Sequence, residues 1–141
     1  MSGSAVSTRR GLLTVATRDV DLLSDIHRLE PTLGVDCRRV GRGQDLVEGV
    51  FPEGGLDRVR MLLLDEDLPD ISGSSLLVHL RDMDPALKVI FMARQASPAL
   101  EMQARQEGVL FFLHKPVDPA ILSKVIKRAV EHETSRRRAA C

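Results

Sequence analysis

Asp65 ends the most apolar stretch of the chain, VRMLLLD, and Lys115 ends another, VLFFLHK. A carboxylate at the rim of a core, stripped of water and close to a cation, can act as a nucleophile toward a phosphoryl donor. A lysine in the same place can neutralise phosphoryl oxygens as a point charge. The same two residues can instead form an ion pair at the edge of the core and catalyse nothing. Perturbed carboxylates mark both kinds of place, so position alone leaves the two readings level.

These two residues have to be positioned by the elements around them. Apolar runs alternate with amphipathic stretches along the whole chain. GLLTVA (11–16), VDCRRV (35–40), VRMLLLD ending at Asp65, KVIFMA (88–93) and VLFFLHK (109–115) read as strands. MLLL and VIFM are continuous rather than alternating, as suits strands covered on both faces. Between them, Leu22, Leu23, Ile26 and Leu29 recur at helical spacing behind Asp19, an expected N-cap. A short helix is expected from Gln44 to Val50, broken by the Pro-Glu-Gly-Gly run at 52–55. Another is expected from Ser74 to Met83, and one opened by Ser97 and Pro98 runs toward Gly108. The last, opened by Asp118 and Pro119, carries Ile121, Leu122, Val125, Ile126 and Ala129 on one stripe. Five strands alternating with five helices predict an α/β fold, a (βα)5 three-layer sandwich with a parallel sheet. The flavodoxin-like strand order 2-1-3-4-5 is the common solution for five strands. Ligands in such sheets bind beyond the carboxyl ends of the strands, which directs attention to Ala16, Thr17, Asp65, Ala93 and Lys115.

At this point the sequence resembles a family. MLLLDEDLPDISG is similar to the phosphoacceptor segment of the receiver domains of bacterial two-component response regulators, the CheY-like proteins. Asp65, Pro69 and Gly73 keep its spacing. GVLFFLHKP resembles the family's second signature through Gly108, Phe112, Lys115 and Pro116. The resemblance spans about Leu12 to Val130. It implies a phosphoacceptor at Asp65, a phosphate-binding Lys115, a switch aromatic at Phe112, and a Lys115–Pro116 bond able to be cis, X-Pro being the common place for one.

The departures from the family matter as much. In the family two adjacent acids after the first strand help to hold magnesium, and here Ala16 and Thr17 stand in their places. Magnesium prefers octahedral oxygen ligation with carboxylates. The family hydroxyl at the end of the fourth strand is replaced by Ala93, which cannot donate a hydrogen bond. Without that hydroxyl, Phe112 reads as a core ring rather than a switch, since a switch needs a differential contact. Glu66 and Asp67 flank Asp65 and could reach a cation, and Arg18 could pair with Asp65, although a solvated Arg18 is the plainer expectation. The expected metal is none and no cofactor is expected; Mg2+ enters only if the site is competent. The function expected is therefore an atypical receiver that acts by protein–protein contact with weak or no phosphorylation at Asp65. The alternative is a competent receiver taking a phosphoryl group from a histidine kinase.

Composition removes other classes. Twenty Lys and Arg balance twenty Asp and Glu, and Trp and Tyr are absent. A basic nucleic-acid face and aromatic stacking platforms are not expected. The sequence has no GxGxxG, no GxxxxGK[ST] and no GxSxG, and ATRDVD lacks a glycine for an FMN phosphate loop. Two cysteines, Cys37 and Cys141, make neither a zinc pattern nor a disulfide framework. MSGSAVSTRR has no apolar signal region, and no apolar run reaches the roughly 20 residues of a membrane span. A cytoplasmic location, a protein partner (sensor kinase or effector) and no membrane or nucleic-acid partner are expected. A weak homodimer is conceivable through the fourth helix, fifth strand and fifth helix, where Lys124, Arg128 and Glu131 give a polar face. The expected division is a flexible segment at 1–9, the receiver domain at 10–133 and a flexible tail at 134–141.

Overall fold

A computed structural model describes residues 11–50 and 61–140, with side chains at 11–48 and 61–132. The expected flexible segment at 1–9 lies outside the described residues, and so do Cys141 and the side chains of the 134–140 tail. Five strands are present: β1 (Gly11–Ala16), β2 (Val35–Val40), β3 (Met61–Asp65), β4 (Lys88–Ala93) and β5 (Phe111–His114). Helices α1 (Val20–Leu33), α2 (Gly43–Val50), α3 (Gly73–Met83), α4 (Pro98–Gln106) and α5 (Pro119–Ala140) connect or follow them. All strand pairs are parallel and the order is β2-β1-β3-β4-β5, the flavodoxin-like arrangement expected.

The core follows from strand alternation. On β3, Met61 and Leu63 face Leu22 and Ile26 of α1 and Leu122 and Ile126 of α5. Leu62 and Leu64 face the other way, onto Leu46 of α2, Leu76, Leu77 and Leu80 of α3, and Ala104 of α4. Leu62, Leu63, Leu64, Val89, Ile90 and Phe91 are all buried. Each such side chain contributes about 1.5–3 kcal/mol relative to exposure. The helices start where their caps dictate: Asp19, Ser72 and Ser97 accept from Leu22, Ser75 and Leu100 N–H, and Pro98 takes the first turn of α4.

The fifth strand is shorter than its apolar run. Gly108 sits at φ +78°, a left-handed turn, and the Val109 N–H bonds back to Ala104 of α4, so pairing begins only at Leu110. At the open edge of the sheet, the Glu30 carboxylate of α1 accepts the Cys37 N–H of β2 at 2.9 Å and pairs with Arg39 at 3.1 Å.

Candidate functional site

Asp65 is fully buried at the carboxyl end of β3. Its chain turns at once: the Glu66 N–H donates to Met92 O, and the Gly73 N–H returns to Glu66 O at 2.9 Å. That return brings Gly73 so close that a Cβ there would run into the Asp65 carbonyl and the Glu66 backbone. The glycine of the DEDLPDISG pattern is therefore required by backbone approach, and Pro69 lies within the loop it closes. Glu66 does not face the cleft as a cation ligand. Its carboxylate accepts from the Ser74 N–H at 2.7 Å and from the Ser74 hydroxyl at 3.2 Å. Asp70, further round the loop, accepts from the Gly43 and Gln44 N–H groups at the start of α2. Those two hydrogen bonds, in that order, lower its carboxyl pKa.

Among the described residues the Asp65 carboxylate has three donors. Lys115 Nζ lies 2.7 Å from Oδ2, the Thr17 hydroxyl donates to the same oxygen at 2.6 Å, and the Asp67 N–H donates to Oδ1 at 3.0 Å. Lys115 is itself buried, and its ammonium also lies 3.3 Å from Asp19 and 3.9 Å from Asp67. Arg94, the residue after Ala93, pairs with the same Asp19 oxygen at 3.3 Å. Asp19 is thus both cap and counterion. Burial pushes its pKa up, but the Leu22 N–H, then Lys115 and Arg94, outweigh burial and hold the carboxyl below its ordinary value. Ala16 and Ala93 are buried beside these groups and add no polar atom beyond their backbone; Ala93 O accepts the Lys115 N–H. The Lys115–Pro116 bond is cis. Phe112 is buried with its ring stacked on Phe91, centroids 5.6 Å apart. Arg18, Asp19, Asp65, Asp67, Arg94 and Lys115 line one open cleft of about 330 Å3. Among the described residues, Arg18 is exposed and makes no hydrogen bond or ion pair with Asp65.

These residues do not fit a magnesium ion. Position 16 offers a methyl group, and the Thr17 hydroxyl is turned to give its proton to Asp65 rather than a lone pair to a metal. Asp19 already meets two cations, and Lys115 stands against Asp65 Oδ2. Hard divalent cations need several free oxygen ligands converging on one point.

Sequence reasoning brought Asp65 and Lys115 together but missed two further contacts, Thr17 with Asp65 and Arg94 with Asp19. The Thr17 bond was recoverable: β1 pairs in parallel with β3, Ala16 opposite Leu64, so the next residue on each strand is Thr17 and Asp65. Arg94 had no such signal, because its side chain crosses between loops 75 residues apart in sequence.

Comparison with known proteins agrees with this fold. Residues 19–127 match the response regulator receiver domain family. The chain is 29% identical over 98 residues to the regulatory protein LuxO of Vibrio cholerae, covering 70% of this chain and 21% of that one. It is 30% identical over 121 residues to the transcriptional activator protein ExaE of Pseudomonas putida, covering 85% and 55%. The chain thus spans from about a fifth to about half of the length of these relatives. Among solved structures, the signal receiver domain of a putative LuxO repressor protein from Vibrio parahaemolyticus superposes with a TM-score of 0.80 at 20% identity, covering 92% and 97% of the two chains. A CheY-like receiver domain protein from Methanospirillum hungatei gives 0.77 at 20% identity, with 90% and 98% covered. With the strand order, the Asp65–Lys115 pair and a family match over most of its length, the chain belongs to the response regulator receiver domain family.

Proposed function

We propose that this receiver domain is atypical: it acts through contact with a protein partner, with weak or no phosphoryl turnover at Asp65. The observation that carries the reading is the Thr17 hydroxyl, which stands where the family has a metal-holding acid and donates to Asp65 Oδ2 at 2.6 Å. Phosphoryl transfer needs an accessible carboxylate oxygen and neutralisation of the phosphoryl oxygens during transfer. Lys115 supplies one positive charge, while Ala16 and Thr17 bring no carboxylate to hold a metal that would supply more. Ala93 offers no side-chain donor to a bound phosphoryl group, so Phe112 has no differential contact to pull it from its place against Phe91. At most, Asp65 phosphorylates itself from a small donor and loses the group slowly.

The partner on this reading is a sensor histidine kinase or a downstream effector, in the cytoplasm. Among the described residues no helix is long and apolar enough to cross a membrane. The relatives are described as regulatory or transcriptional activator proteins, and a place in a longer regulator of that kind fits this chain. A weak homodimer through α4, β5 and α5 suits the exposed Met102 and Ile121 set among charges. Incubation with a small phosphodonor and magnesium, read by intact mass, tests the central point. No more than a trace of singly phosphorylated protein is expected; near-complete conversion abolished by Asp65→Asn overturns the reading.

The second reading is a competent receiver that accepts a phosphoryl group from a histidine kinase on Asp65. The Asp65–Lys115 contact at 2.7 Å, the pair such transfer would use, favours it.

A further inference from the structure

The cleft around Asp65 is lined by three carboxylates, Asp19, Asp65 and Asp67, and by three cations, Arg18, Arg94 and Lys115. Without the two arginines it would carry a formal charge of minus two, the charge a divalent cation would balance. From this juxtaposition we infer that Arg18 and Arg94 are built-in counterions that replace the divalent cation, so that the site is electrically complete without metal and keeps no net charge to attract one.

Arg94 supplies the geometric half of the case. Its guanidinium meets Asp19 Oδ2 at 3.3 Å, and Lys115 Nζ meets the same oxygen at 3.3 Å. Asp19 is the acid nearest in sequence to the two positions, 16 and 17, that lack one, so it is the carboxylate an incoming metal would have to recruit. It meets two cations instead. Arg18 supplies the remaining charge: its stem lies over Gly41, and its exposed head borders the same cleft. Guanidiniums suit the task because they stay protonated at any physiological pH. A divalent ion entering this cleft would find Lys115 already on Asp65 and Asp19, and Arg94 already on Asp19, the carboxylates it would have to recruit.

This inference rests on the proposed metal-independent, atypical reading of Asp65. The test is a gain of function on the full chain. Mn2+ serves as the probe, read by water-proton relaxation and by broadening of amide signals, for wild type and for the Arg18→Ser plus Arg94→Ser variant. Both arginines have exposed head groups, and circular dichroism melts establish that the variant folds. Wild type should show no saturable Mn2+ binding in the low millimolar range, and the variant should bind about tenfold tighter or better, with broadening centred on Asp65. Arg94→Lys, keeping the charge, should behave as wild type. Saturable low-millimolar binding by wild type around Asp65, or no gain in the folded variant, overturns the inference. Should a phosphodonor label wild type without any divalent ion, the atypical reading fails while the charge replacement is supported, so the two failures are distinguishable.

Discussion

Each end of the sheet is organised by one long cationic side chain, and the two differ in what the cation meets. At the carboxyl end Lys115 meets carboxylates: Asp65 at 2.7 Å, Asp19 at 3.3 Å and Asp67 at 3.9 Å. At the amino end Arg81 meets backbone. Its Nε donates to Glu107 O at 2.7 Å, Nη1 to Pro85 O at 2.9 Å and Leu87 O at 2.7 Å, and Nη2 reaches Gly108 O at 3.4 Å. Carbonyls belong to the chain and cannot be titrated or swapped, so Arg81 pins the turns leading into β4 and β5. Carboxylates are side chains with several lone pairs each, so Lys115 holds partners that can be exchanged. Rigidity is placed at one end and adjustable charge at the other.

Removing the cation at each end should break the two differently. Lys115→Met leaves a fully buried Asp65 without its counterion, and breaking a buried pair from one side costs about 3–5 kcal/mol. Adding Asp65→Asn should recover most of that loss in urea denaturation, and no recovery would mean that Lys115 acts mainly through its stem. Arg81→Met should cost about 2–3 kcal/mol in the same assay, because charge-assisted bonds are lost but the carbonyls of the exposed Pro85 and Gly108 can take water. No second-site charge neutralisation should rescue it, and that asymmetry is the sharpest test of the comparison.

Smaller effects refine the carboxyl end. Thr17→Val removes the hydroxyl donor to Asp65 and should cost about 1–2 kcal/mol. Asp19 has a lowered carboxyl pKa, so its contribution to stability is full above its unfolded-state pKa and is lost as pH falls through the folded value. Below about pH 4, Asp19→Asn should flatten part of the acid decline in melting temperature, while neutral-pH stability falls. The smallest expected effect is on binding: Asp65→Asn should change partner affinity by less than about twofold, roughly 0.4 kcal/mol. A larger change after phosphodonor treatment, lost in that variant, would move the balance to the competent reading.

The strands around the site were legible because MLLL and VIFM are apolar without interruption, which few structures other than a doubly covered parallel sheet accommodate. Asp65 and Lys115 were legible because they terminate such runs. The cap role of Asp19 was legible, but its second role was not, since meeting Lys115 and Arg94 depends on how three loops converge. Glu66 was misjudged for a related reason. A carboxylate beside a reactive-looking aspartate suggested a cation, whereas the backbone return at Gly73 carries it to Ser74. The trimmed β5 likewise depended on one left-handed glycine that hydrophobic pattern does not weigh.

The Glu30 carboxylate on the Cys37 N–H has a consequence for life at high concentration. β2 is an outer strand, and an outer strand offers unpaired donors to any extended chain that drifts against it. Here one of those donors is occupied from within the molecule, and Arg38 and Arg39 place charge along the same strand. A neighbouring copy seeking to extend the sheet would have to displace Glu30 and bury those guanidinium groups. Glu30 thus occupies a backbone donor through which a second copy would otherwise extend the sheet.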